Sequence, residues 1–154
     1  SRSTRFNHLA LSLRPQSVFE TKLQTYWDDA DPAGQVFFVN FFKFMEHAET
    51  ELFRSAGVER VRLYDKCGVW MPRVESFAKF SKPIRTETPI LIRMRTQFQR
   101  LKTVRMEFEV LNAEDGSFLA EGYVIAVCVD RKTGKSTALP EEIRKIFARA
   151  SDER

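Results

Sequence analysis

The sequence predicts an α+β fold, with a five-stranded antiparallel sheet wrapped around one long central helix and a further helix at the C-terminus. Three observations point there. Phe41, Phe44, Met45, Ala48, Leu52 and Phe53 recur at steps of three and four residues, the apolar stripe of a helix packed on one face. From Val69 onward the apolar period changes to two, the mark of strands. One long helix and a curved sheet can then bury each other's apolar faces in two layers.

The elements follow in order. Val18 to Tyr26 alternates its sides and reads as a first strand. It runs into Trp27-Asp28-Asp29-Ala30-Asp31-Pro32-Ala33-Gly34, which is turn chemistry, and Pro32 forces Asp31 out of the helical region. The helix spans about Val39 to Ala56, with Asn40 as its candidate N-cap and Gly57 as its left-handed C-cap. Glu59 to Lys66 adds a short helical turn. Four meandering strands come next: Trp70–Ser81, Pro89–Leu101, Thr103–Ala113 and Ser117–Asp130. Glu114-Asp115-Gly116 is a strong hairpin turn between the last two. Pro140 to Ala150 closes the chain as a helix, with Glu141 and Glu142 in its first turn.

Composition bounds the rest. A length of 154 residues suits one domain, and 43% apolar with 30% charged residues suits a globular chain with a real core. Residues 1–17 carry no apolar run and read as a flexible tail, which leaves 18–150 as the domain. The longest apolar runs, such as Tyr123 to Val129, are too short to span a membrane. The net charge of +4 comes with no nucleic-acid-binding motif, so no nucleic-acid partner is expected. Positive charge concentrates in residues 81–110, where seven basic residues face three acidic ones. Cys67 and Cys128 fit no metal-ligand spacing and suit a reducing cytoplasm. No metal is expected. Fourteen residues are Phe, and five of these lie between Phe37 and Phe44.

The stretch Asp31-Pro32-Ala33-Gly34-Gln35-Val36-Phe37-Phe38-Val39-Asn40-Phe41, in this order of elements, resembles the hotdog-fold thioesterases. The likeness is to the branch of 4-hydroxybenzoyl-CoA thioesterase and the Tol-Pal-type acyl-CoA thioesterases. Trp27, Asp29, Ala30, Asp31 and Gly34 fill the places of the family signature. Glu46, Ala48 and Glu51 match its helix, and Ala78, Phe80, Lys82-Pro83-Ile84-Arg85 and Ile90 match its second and third strands. The likeness covers roughly residues 18–130. It implies an acyl-CoA thioesterase that releases a free carboxylic acid and coenzyme A, with no cofactor beyond the coenzyme A of its substrate. It implies a homodimer or homotetramer, often with the active site at the interface. It also implies that Asp31 acts as nucleophile or general base and that the Phe38 backbone N–H binds the thioester oxygen.

Elementary chemistry agrees. A helix N-terminus offers unpaired N–H groups and partial positive charge, against which an oxyanion can form. A carboxylate on the loop leading into that helix can attack the carbonyl carbon or activate water. Trp27, Gly34, Phe37 and Phe42 are candidates for substrate binding, and Phe37, Phe38 and Phe42 can face either an acyl tunnel or a subunit interface. Arg85, Arg93 and Arg95, among the six cations that also include Arg100, Lys102 and Arg105, are the candidates for the phosphates that the resemblance implies; sequence does not choose among the six, and cross-strand pairing to Glu107 and Glu109 is the alternative use of any one of them. Asp29 reads as a loop-ordering acceptor, Glu46 and Glu49 as solvated or interface carboxylates, and His47 as an exposed residue. Two departures from the family stand out. Phe38 replaces the His or Tyr of relatives, so no side-chain acid is present there. Glu87-Thr88 replaces the usual Gly-Asp before the third strand. The competing functions are an acyl-carrier-protein thioesterase, whose acidic carrier would meet the basic segment, and a catalytically silent acyl-binding module.

Overall fold

The computed structural model describes residues 18–152; the tail expected over residues 1–17 lies outside them. The elements are β1 (Phe19–Gln24), α1 (Asn40–Ser55), α2 (Arg60–Cys67), β2 (Val69–Trp70), β3 (Arg73–Phe80), β4 (Pro89–Gln99), β5 (Thr103–Asn112), β6 (Phe118–Val127), β7 (Val129–Asp130) and α3 (Glu141–Ala148). Five strands make one antiparallel sheet in the order β1-β4-β5-β6-β3, and β2 pairs with β7 separately.

Three expectations change. The strand expected over Trp70–Ser81 is broken at Met71–Pro72, because Pro72 has no N–H for a ladder and the chain changes partner there. The strand expected over Ser117–Asp130 breaks at Cys128: β6, up to Val127, pairs with β5 and β3, whereas β7, from Val129, pairs with β2. The four strands do not form a simple meander. β4, β5 and β6 do, but β3 crosses to pair with β6 at the opposite edge.

Helix α1 lays Phe41, Phe44, Met45, Ala48, Leu52 and Phe53 into one core with Ile90, Ile92, Met94, Met106 and Phe108 of the sheet. Phe41, Leu52 and Phe53 are fully buried, and each contributes about 1.5–3 kcal/mol of transfer free energy. Gly122 on β6 is what lets the first turns of α1 sit so close. A Cβ there would collide with the Phe77 carbonyl oxygen and lie 2.7 Å from Met45 Cε and 2.9 Å from Phe41 Cε1.

Two arginines lock α1 to α2 and β3. Arg60 reaches Glu46 and Glu49, both at 3.0 Å. Arg73 reaches Glu46 at 2.7 Å and Glu49 more closely still. Glu49, expected on a solvated or interface face, is instead 1% exposed within this cluster. The helical stripe places residue 49 beside Ala48 at its edge, but the cations that justify its burial come from elements 11 and 24 residues further on.

Candidate active site

The loop between β1 and α1 is held by Asp29, which is 2% exposed. Its carboxylate accepts from the Tyr26 N–H at 2.8 Å and from Lys43 Nζ at 3.0 Å. Its carbonyl accepts from the Phe37 N–H at 2.8 Å and from Asn40 Nδ2 at 2.9 Å. Asn40 is therefore not the N-cap. Val39 holds that position with no side-chain bond, because the Asn40 amide is spent on tying the loop to the helix.

Asp31 lies two residues beyond this anchor. Its N–H donates to the Gln35 carbonyl at 2.7 Å, and the Gly34 N–H returns to its carbonyl at 3.0 Å. Gly34 sits at φ 77°, the left-handed conformation a glycine takes without a Cβ clash. One carboxylate oxygen, Oδ1, accepts from the Ala33 N–H at 2.8 Å and more weakly from the Gln35 N–H at 3.3 Å. The other oxygen, Oδ2, accepts no hydrogen bond among the described residues. The loop thus fixes the carboxylate through one oxygen and leaves its second one available.

The backbone then enters α1 through Phe38 and Val39. Among the described residues, no group accepts a hydrogen bond from either N–H, as expected for donors ahead of a helix's first turn. The dipole of the 16-residue helix adds partial positive charge at the same place. Asp31 and Phe38 line one cavity of about 340 Å³ together with Gln35, Val36 and the segment Phe80 to Ile84. On its other side Asp31 borders a second cavity of about 600 Å³, lined by Trp27, Ala30, Pro32, Gly34 and Thr86. Phe37 packs edge-on against Phe38 with centroids 4.9 Å apart, and Phe80 packs against Phe41 at 5.4 Å.

Asp31 and Phe38 therefore share one cavity, with Phe37 packed against Phe38, while Trp27 and Gly34 line the second cavity on the other side of Asp31. Phe42 does not join them: it is half-buried against the core, edge-on to Phe41 at 6.0 Å. Arg93 and Arg95 point to the sheet face opposite the core residues Ile92 and Met94. There Arg93 pairs with Glu20 at 2.9 Å and lies 3.9 Å from Glu109, and Arg95 lies 3.6 Å from Asp152. Arg85 is exposed, and its backbone bridges to Gln35 beside the site. Sequence reasoning missed Lys82, the cation that lines the Asp31 cavity. Its position in Lys82-Pro83-Ile84-Arg85, directly after the edge strand, was the available signal. His47 is exposed and lines neither cavity at Asp31. Among the described residues no group of three or more His, Cys, Asp or Glu is placed to hold a metal ion.

The turn left open by Glu87-Thr88 is also resolved. Glu87 takes φ 55°, the conformation that a glycine favours. The Thr88 N–H donates to Thr25 Oγ1 at 2.8 Å, and that hydroxyl donates on to the Arg85 carbonyl at 2.8 Å. The turn keeps the Lys82–Arg85 segment against the end of β1 without a glycine.

The profile of the thioesterase-like superfamily matches residues 25–147. The acyl-CoA thioester hydrolase YbgC of Shigella flexneri is 26% identical over 129 residues, which is 82% of this chain and 93% of that one. A 1,4-dihydroxy-2-naphthoyl-CoA hydrolase of Thermosynechococcus vestitus is 22% identical over 142 residues, 92% of this chain and 96% of that one. Among solved structures, a 1,4-dihydroxy-2-naphthoyl-CoA thioesterase from Synechocystis superposes with a TM-score of 0.79 at 21% identity, covering 85% of this chain and 96% of that one. At that identity the superposition speaks for the fold alone.

Proposed function

Since the chain belongs to the thioesterase-like superfamily and is a thioester hydrolase, we propose that it cleaves acyl-CoA to a free carboxylic acid and coenzyme A, with Asp31 as nucleophile or general base. One observation carries this reading: the free oxygen of Asp31 and the unpaired N–H of Phe38 belong to residues lining the same cavity at the start of α1. The thioester carbonyl oxygen accepts the Phe38 N–H, which stabilises the negative charge that grows on it during attack. As nucleophile, Asp31 Oδ2 bonds the carbonyl carbon, the C–S bond breaks and the thiolate leaves to be protonated. Water then cleaves the resulting anhydride and returns the carboxylate. As general base, Asp31 takes a proton from the attacking water, and the same C–S bond breaks. Phe38 supplies only its backbone donor in either course, because its ring carries no proton to give.

Lys82 gives the cavity a basic rim, and the exposed Arg85 lies three residues further along the same segment; such cations suit the phosphates of coenzyme A. The same rim favours a second reading, an acidic acyl carrier protein as the thioester donor. The free thiols Cys67 and Cys128 suit a reducing cytoplasm as the site of action. Among the described residues no helix is long and apolar enough to cross a membrane. Thiol release from short, long and aromatic acyl-CoAs, beside the matching acyl carrier proteins, tests the proposal. Turnover of a coenzyme A ester that disappears in Asp31→Ala supports it. Faster turnover of the carrier esters moves the assignment to the second reading. Silence over the whole panel leaves an acyl-binding module.

A further inference from the structure

Lys43 stands near the start of α1, a helix whose first turn holds no acid. A cation this close to a helix N-terminus works against the helix dipole, so another contact must justify it. That contact is Asp29. Lys43 Nζ lies 3.0 Å from Asp29 Oδ1, and Lys43 is the one cation in ion-pair reach of this carboxylate among the described residues. The carboxylate is buried, whereas Lys43 is half exposed.

Asp29 also ends a short antiparallel clip. Its carbonyl accepts from the Phe37 N–H, Ala30 bridges to Val36, and the Asp31 N–H donates to the Gln35 carbonyl. Asp31 rides on this clip, while Phe38 leads into α1. Lys43 ties the clip to the helix through the Asp29 carboxylate, and Asn40 does so through the Asp29 carbonyl. Neither Lys43 nor Asp29 lines the two cavities at Asp31. Both line a third one of about 230 Å³, with Tyr26, Phe44 and His47.

We propose that Lys43 is a positioning residue for thioester hydrolysis: by holding the Asp29 carboxylate to α1, it sets the Asp31 carboxylate against the Phe38 N–H. This inference rests on the thioesterase reading. Attack needs carboxylate and oxyanion donor held to within about 0.5 Å of their productive places. The clip carries the first and the helix entry carries the second, so a contact that spans the two controls their separation. Without the ammonium, Asp29 is a buried charge with no counter-ion, and turning toward water relieves it. The clip then shifts and takes Asp31 away from the thioester carbon. Lys43 lines neither cavity at Asp31, so the loss falls on kcat and spares KM. A lysine that held coenzyme A phosphates would do the reverse. It would raise KM on a coenzyme A ester and leave a thioester without phosphates untouched.

Steady-state thiol release tests this on an acyl-CoA and on the N-acetylcysteamine thioester of the same acyl group, well below the Tm of each variant. Lys43→Met and Lys43→Gln each lower kcat on both esters by on the order of 10- to 100-fold, with KM within about twofold of wild type. Lys43→Arg, which keeps the cation, regains most of the rate. In an Asp29→Asn background Lys43→Met costs little further, because the contact it removes is already gone. A loss confined to KM on the coenzyme A ester makes Lys43 a phosphate contact and overturns the proposal. Losses that multiply in the double variant, or a lowered Tm with wild-type kcat, overturn it as well. In each of these cases the wild type still turns over, and the enzyme reading stands. A wild type that releases no thiol from either ester refutes that reading, and this inference with it.

Discussion

Replacing Arg73 by methionine keeps most of the side-chain stem and removes one of the two cations that hold Glu49. That carboxylate is 1% exposed and has no access to bulk water to replace the loss. Removing one partner of a buried ion pair costs about 3–5 kcal/mol. Arg60 still reaches Glu49 at 3.0 Å, so the lower end, about 3 kcal/mol, is the expected value. A domain of this length is stable by only about 5–15 kcal/mol, so the change is large. At roughly 2–4 °C per kcal/mol, Tm falls by about 6–12 °C. Thermal melts by circular dichroism at pH 7 measure it, with urea titration for the free energy. Neutralising the stranded charge as well, in Glu49→Gln/Arg73→Met, should give a double variant less destabilised than the two singles added. A loss under about 1 kcal/mol for Arg73→Met, or strict additivity in the double variant, would refute the idea that this cluster clamps α1 to β3.

The remaining predictions concern the site and pH. Phe38→Pro deletes the proposed oxyanion donor and should lower kcat by about 100- to 1000-fold, whereas Phe38→Ala keeps the N–H and loses far less. Steady-state thiol release separates them, and equal losses would point to the ring instead of the backbone. Burial pushes the Glu46 carboxyl up, but Arg73 and Arg60 more than offset this and leave it below its ordinary value of 4.5. The Glu46 contribution to stability is therefore present above pH 4.5 and is lost as pH falls through the lower folded value. The Tm gap between wild type and Glu46→Gln should shrink on acidification from pH 6 to pH 3; a gap that stays constant contradicts the pairing. Burial raises the Cys128 thiol to about 11, so in native protein at pH 8 it should resist iodoacetamide until unfolding exposes it, as mass spectrometry of the labelled peptide would read.

Much of the architecture was legible because it follows from local periodicity. The stripe from Phe41 to Phe53 needs nothing but the 3.6-residue repeat to declare a helix, and β4 alternates into and out of the core from Pro89 to Thr96, as β5 does as far as Phe108, after which Glu109 and Leu111 are buried too. Partner choice was not legible. Alternation assigns a strand's faces but not its neighbour, so the crossing of β3 to β6 could not be read. Short-range signals also competed: Asn40 has the chemistry of an N-cap, yet its amide goes to the Asp29 carbonyl across the loop. The geometry of the candidate site was legible where the motif fixes backbone, in the turn from Asp31 to Gly34 and the entry into α1 at Phe38. It was not legible where side chains have a choice of partner. Arg93 could have pointed to phosphate or to carboxylate, and Glu20 across the β1–β4 pair decides it. Glu49 offered no local sign of burial, because its counter-ions arrive from α2 and β3.

The central claim is that the free oxygen of Asp31 performs or assists the attack on a thioester. Asp31→Asn tests it most directly, since the amide oxygen can still accept from the Ala33 and Gln35 N–H groups that fix the loop. Thiol release from an acyl-CoA that the wild type turns over, measured as kcat/KM with Tm followed beside it, should fall by about 1000-fold while Tm holds. Turnover within about twofold of wild type would contradict the account.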